Sequence, residues 1–256
     1  MTAAPEVTTA APPDLHPDAL LPHAGALTGD DAPGAQAYLR AREAMGELYA
    51  SYGRIAEAVK AIEASEHSVV STPAGLRLGR PDLGPLVEAA QRAFERTARL
   101  VDARLASVTG DRDSLAKRLD ATLTEPSRSV LGIAQASEIR THLRSLTKAK
   151  VMETVHAAAS SGDRMTVAAV LTAPPYLSGL DAEAHATLRK AAMTTLEPLL
   201  SASVEALDAV AERVRQASKS YVGLYARVRR GADAGPSSRV RAALKALTEV
   251  RDDRAA

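Results

Sequence analysis

The stretch AQAYLRAREAMGELYASYGRIAEAVKAIEAS, residues 35–65, decides the fold class. Its apolar residues fall in two rows seven apart: Tyr38, Met45, Tyr52 and Val59 in one, Ala41, Leu48, Ile55 and Ile62 in the other. Rows offset by three and four residues predict a helix with the narrow seam of a coiled coil rather than the broad apolar face of a globular helix. At 1.5 Å per residue, a helix over 35–65 spans roughly 45 Å. Such a run exists because no proline lies between Pro33 and Pro73, and interior proline costs a helix about 3 kcal/mol.

The same reading extends to the other proline gaps. A second helix is expected over about 83–124, opened by Asp82 with Pro85 in its first turn. Its rows are Val87, Phe94, Val101, Val108 and Leu115, with Ala98, Leu105 and Leu119. The phase survives Gly110, which favours one helix over two. A third begins after Asp181 and runs to about 231, kinked or divided at Pro198. Its rows are Leu200, Leu207, Val214, Tyr221 and Val228, with Leu196, Val210, Ala217 and Leu224. A short terminal helix is marked by Val240, Leu244, Leu247 and Val250.

Between the first two helices, segments 68–72 and 76–79 favour strands around Pro73-Ala74-Gly75, so residues 67–80 are expected to form a small β-hairpin tip. That tip is either a simple connector or a contact element. Residues 126–180 read instead as three short helices, opened at Ser137, Thr147 and Asp163, with Tyr176 to Leu180 folding back over them and Asp181 capping the next helix.

Composition narrows the chemistry. The 256 residues carry 32 Lys and Arg against 31 Asp and Glu, with no Cys and no Trp, one Phe and six Tyr. Missing thiols exclude a disulfide scaffold and any thiolate metal site, and few aromatic or β-branched residues disfavour a β-sandwich. The net charge of +1 is unevenly spread: residues 1–33 hold five acids, no bases and six prolines, so the rest carries +6. This segment is expected to be a disordered or extended arm, either a solvated tail or an arm that orders on a basic surface of a partner or neighbouring copy. It lacks the charged start of a signal peptide, and no apolar run reaches the length of a membrane span. A cytosolic, soluble protein is expected.

No catalytic constellation is visible. Glu153-x-x-His156 is half of a di-iron pattern without its second copy, and no phosphate loop or nucleophile elbow is present. No catalytic residue, metal, cofactor or small-molecule ligand is expected. Six bases and no acid lie between Arg213 and Arg230, with Arg215, Lys219 and Arg230 on the outer face of their helix. They suit a solvated face, a dock for another copy's acidic arm, or phosphate contacts. Arg140, Arg144, Lys148 and Lys150 form a second basic cluster.

Three strings in the middle segment carry a resemblance: Glu138-Ile139-Arg140-x-x-Leu143, Ser161-Gly162-Asp163, and Ala169 through Leu180 with its Ala173-Pro174-Pro175-Tyr176-Leu177-Ser178-Gly179 core. They resemble segments of uncharacterised tailed-bacteriophage proteins taken to be virion or assembly components. The resemblance covers about 45 of the 256 residues, carries no catalytic motif and implies a location in the virion or the host cytoplasm.

The sequence therefore predicts an elongated all-α protein, an antiparallel helical hairpin with a β tip plus a compact group of short helices. Its expected divisions are an arm (1–33), the hairpin (34–125), the short helices (126–180) and the C-terminal helices (181–256). Long apolar seams predict a homo-oligomer that also contacts other virion proteins, through Tyr38, Met45, Leu48, Tyr52, Ile55, Leu200, Leu207, Val214 and Tyr221. The expected role is structural or assembly; the alternative is a nucleic-acid-associated protein using Arg215, Lys219 and Arg230.

Overall fold

The structure is a computed structural model that describes residues 11–29, 32–67, 70–71, 77–78 and 83–233. The turn at Pro73, the cap at Asp82 and the terminal helix around Leu244 lie outside the described residues. The chain is all-α. Its helices are α1 (Ala35–His67), α2 (Gly84–Thr124), α3 (Val130–Arg144), α4 (Lys148–Ser161), α5 (Arg164–Leu171), α6 (Ala182–Leu196) and α7 (Pro198–Asp233). Between α1 and α2, Val70–Ser71 and Arg77–Leu78 pair antiparallel, Val70 opposite Leu78 and Ser71 opposite Arg77.

Prolines set the helix limits. α2 runs unbroken through Gly110, since no proline interrupts it. Pro198 separates α6 from α7: Glu197 leaves helical geometry (φ −135°, ψ 60°) and Pro198 takes the first position of the next helix, where its missing N–H costs nothing. The short helices are set by side-chain caps. Thr147 Oγ1 accepts from the Lys150 amide, Asp163 from the amides of Met165 and Thr166, and Asp181 from that of Ala184. Gly162 ends α4 at φ +80°, a left-handed conformation that glycine adopts without strain.

Two expectations about local structure need correction. α3 begins at Val130, not Ser137, because Ser129 Oγ accepts from the Gly132 amide at 3.0 Å and nucleates the first turn earlier. The acidic arm is also not a free tail over its whole length. Residues Pro13–Leu15 and Pro17–His23 form 3-10 turns whose Leu15 and Leu20 are fully buried. Three leucines, with Leu27 the third, supply the apolar area that the proline-rich composition obscured.

The chain clusters into two compact units, each discontinuous in sequence. The first takes residues 1–21, 40–106 and 211–256, and the second residues 22–39 and 107–210. α1, α2 and α7 each contribute to both units.

In the first unit the three helices touch pairwise. Tyr221 Oη on α7 lies 2.6 Å from Ser51 Oγ on α1, both buried, and Phe94 of α2 stacks on Tyr221 (5.2 Å) and Tyr225 (4.1 Å). Arg104 of α2 reaches Glu43 of α1 at 3.1 Å. Going from the first level to the second means moving back along α1 and forward along α2, so these two helices run antiparallel. Arg227 with Glu63 (2.9 Å) adds a link from α7 to α1. The arm is tied on by Asp14 with Arg213 (2.9 Å), Asp18 with Arg42 (3.5 Å), and an edge-on contact of His16 with Tyr49.

The buried face of α1 is wider than a two-row seam. Ala37, Ala44, Ser51 and Ala58 form a third buried row beside Tyr38, Met45 and Val59 and beside Ala41, Leu48, Ile55 and Ile62, while Tyr52 is only half-buried. The small third row lets neighbouring elements approach closely, and its width is that of a globular core helix.

An apolar cluster fills much of the second unit. Leu119 and Leu123 of α2 meet Leu143 of α3, Val151 and Val155 of α4, Val167 and Val170 of α5, and Leu188 of α6. Leu180 closes over it after a 3-10 turn at Pro175–Ser178. α7 contributes Leu200 to this core. Elsewhere in the unit, Ser203, the polar residue that completes α7's second row, is buried with its hydroxyl donating to Ala26 O at 3.1 Å. Arg112 of α2 bonds Asp208 of α7 at 2.8 Å; that hydrogen bond, then Asp113, raises the guanidinium pKa further.

Candidate functional site

The expected interface residues are mostly core. Tyr38, Met45, Leu48, Ile55, Leu200, Leu207, Val214 and Tyr221 are all buried by their own chain, and Tyr52 is half-buried. These side chains are packed within their own chain. On α1 the third row, Ala37, Ala44, Ser51 and Ala58, widens the buried face.

The basic stripe is placed on the surface, as its helical phase requires. Arg215, Lys219 and Arg230 are exposed. Half of the six bases in the stripe are neutralised within the chain: Arg213 by Asp14, Arg227 by Glu63 and Arg215 by Glu212 (3.4 Å). Asp14 shows that the acidic arm meets this stripe in its own chain. The second basic cluster is dispersed in the same way. Lys148 bonds Asp181, and Lys150 bonds Glu153 at 2.8 Å; each carboxyl is held below its ordinary pKa, first by that lysine. Glu153 is therefore an ion-pair partner on α4, and no group of three or more His, Asp and Glu able to hold a metal occurs among the described residues.

The feature that the sequence does not reveal is a cleft in the second unit. It has a volume of about 650 Å3 and lies between the end of α2, the adjoining 3-10 turn (Glu125–Ser127), α3 and the end of α5. Its charged walls are Arg128, Arg140, Arg189 and Asp120. Arg189 pairs with Asp120. Arg140 is oriented by donating to Ala169 O at 3.0 Å, and Arg128 is exposed, with no carboxylate partner among the described residues. The hydroxyls of the floor donate inward: Thr124 to Asp120 O (2.9 Å), Ser127 to Thr124 O (2.9 Å) and Thr172 to Ala168 O (2.7 Å).

An apolar lip borders the cleft. At the start of α3, Val130 is 87% exposed, Leu131 84% and Ile133 56%, and Ile133 lines the cleft itself. Successive apolar side chains this open on a helix are uncommon unless something covers them. The sequence signal was present as Val130-Leu131-Gly132-Ile133, but without the helix start at Ser129 it could not be assigned to a face.

Comparison with family models, with curated proteins and with solved structures finds no match to this chain. No helix among the described residues is long and apolar enough to cross a membrane.

Proposed function

We propose that the chain is a non-enzymatic structural or assembly protein, a connector, internal or scaffold-like component of a tailed-phage particle. The observation that carries this reading is the exposed apolar cluster Val130, Leu131 and Ile133 beside a polar cleft. Uncovered apolar area of that kind is characteristic of protein contact surfaces, and the cleft's charged groups are mutually paired or spaced as recognition groups rather than as an acid–base pair. The resemblance of residues 137–180 to phage segments supports the particle context; these residues supply the end of α3, all of α4 and α5, and Arg140 and Leu171 to Pro174 of the cleft. The paired residues Val70–Ser71 and Arg77–Leu78 mark a second contact element, the tip between two long helices.

The reading is tested by complementation. Val130→Glu and Leu131→Glu change fully exposed positions, so the purified variants keep the helical signal and unfolding midpoint of the parent. Particle yield in the host falls when they replace the parent chain. Normal yield with both substitutions present together contradicts the proposal.

A further inference from the structure

We propose that the cleft of the second unit receives an acidic segment of a partner protein, with its carboxylates on Arg128 and Arg140 and an adjacent apolar side chain against Ile133. This inference rests on the contact reading above and names the partner's chemistry.

Charge complementarity decides the sign of the occupant. Three guanidiniums face one carboxylate, and that carboxylate, Asp120, is already engaged by Arg189. Arg140 uses one nitrogen on Ala169 O, which fixes the fork and leaves its other donors for a ligand. Arg128 keeps its whole guanidinium free of any carboxylate among the described residues. Planar, oriented guanidiniums match carboxylate geometry through paired N–H donors. The hydroxyls of Thr124, Ser127 and Thr172 have donated their protons to backbone carbonyls and bring only acceptor capacity. Charged donors to the occupant therefore come from the arginines.

Helical geometry decides that the occupant also carries apolar side chains. Ile133, Ala136 and Arg140 stand at i, i+3 and i+7 on α3 and line the cleft together, with Val130 one turn earlier on the same face. A carboxylate held at Arg140 thus has Ala136 and Ile133 within the next two turns. A bare phosphate would leave this apolar lip uncovered, and among the described residues no aromatic side chain lines the cleft to stack a nucleobase. A peptide alternating acidic with aliphatic residues covers both.

The test pans the full chain against a random peptide library and then measures the recovered peptides by fluorescence anisotropy. The expected result is enrichment of Asp or Glu adjacent to Leu, Ile, Val or Phe. Affinity should fall about tenfold or more in Arg128→Glu and in Ile133→Glu, the scale of one lost charge-assisted contact. Arg215→Glu, on the first unit, should leave it unchanged. Arg128 and Ile133 are exposed, so circular-dichroism melting of both variants matches the parent and separates lost binding from lost folding. No enrichment, enrichment of basic or uncharged sequences, or affinities indifferent to both substitutions would overturn the proposal. So would an oligonucleotide whose binding is lost with Arg128→Glu, since the cleft would then be a phosphate site. The selection needs no particle, so its failure leaves the assembly reading standing, and a failed complementation leaves a peptide-binding cleft standing.

Discussion

Tyr221 and Ser51 show how much one buried pair carries. Their hydroxyls meet at 2.6 Å inside the first unit, with Phe94 stacked on the Tyr221 ring. Tyr221→Phe keeps the stack and strands the Ser51 hydroxyl, so urea unfolding should show a loss of about 1–3 kcal/mol. Ser51→Ala in the Tyr221→Phe background should recover part of that loss, because the orphaned group is gone; additive losses would mean that the two hydroxyls are not coupled. Asp163 gives a pH-dependent counterpart. Thr166, through its hydroxyl and its amide, lowers the carboxyl below its ordinary value of 3.8. A carboxyl with a depressed folded-state value stabilises the fold fully above the unfolded value and loses that contribution as pH falls through the folded one. Asp163→Ala should therefore cost about 1 kcal/mol at neutral pH, the usual worth of such a cap. The gap between parent and variant should close only in acid below about pH 3.9. A gap unchanged down to pH 2 would show that the charge plays no part.

At the scale of elements, glycines in two helices give opposite expectations. Gly110 lies exposed inside α2, and a methyl group added there meets nothing within 4 Å. Gly110→Ala should stabilise the chain by about 0.5–1 kcal/mol through helix propensity alone. Gly132 in α3 is packed against the preceding turn, and an added Cβ would fall 2.2 Å from Pro126 O. Gly132→Ala should instead destabilise by about 1–3 kcal/mol, as overpacking does. Thermal melts of the two variants should move in opposite directions; a neutral Gly132→Ala would show that the start of α3 is not packed on that turn. These helices also show what a sequence makes legible. The limits of α1 and α2 and the break at Pro198 come from proline spacing, and the caps Thr147, Asp163 and Asp181 from local chemistry. The start of α3 was not legible because its first turn turns apolar residues outward, against the pattern that marks a buried face. The arm's Leu15, Leu20 and Leu27 are too sparse for any period. The cleft was hidden for a different reason: Thr172 and Arg189 lie far along the chain from Asp120 and Arg128, and only folding brings them together.

For the molecule as a whole, the heptad rows of α1 and α7 are buried within one chain, apart from the half-buried Tyr52. The unfolding midpoint should accordingly stay constant over a hundredfold range of protein concentration, since only an intermolecular core makes it rise. The charge split between arm and body has the same resolution, because Asp14 and Asp18 pair with Arg213 and Arg42 of the same chain. The α3 lip and its cleft stay turned outward, and to that surface we assign contact. Quantitative mass spectrometry of particles and assembly precursors purified from the host tests that assignment most directly. The chain should be present at a fixed copy number in one of the two; its absence from both, while the protein is present in the same lysate, would contradict an assembly role.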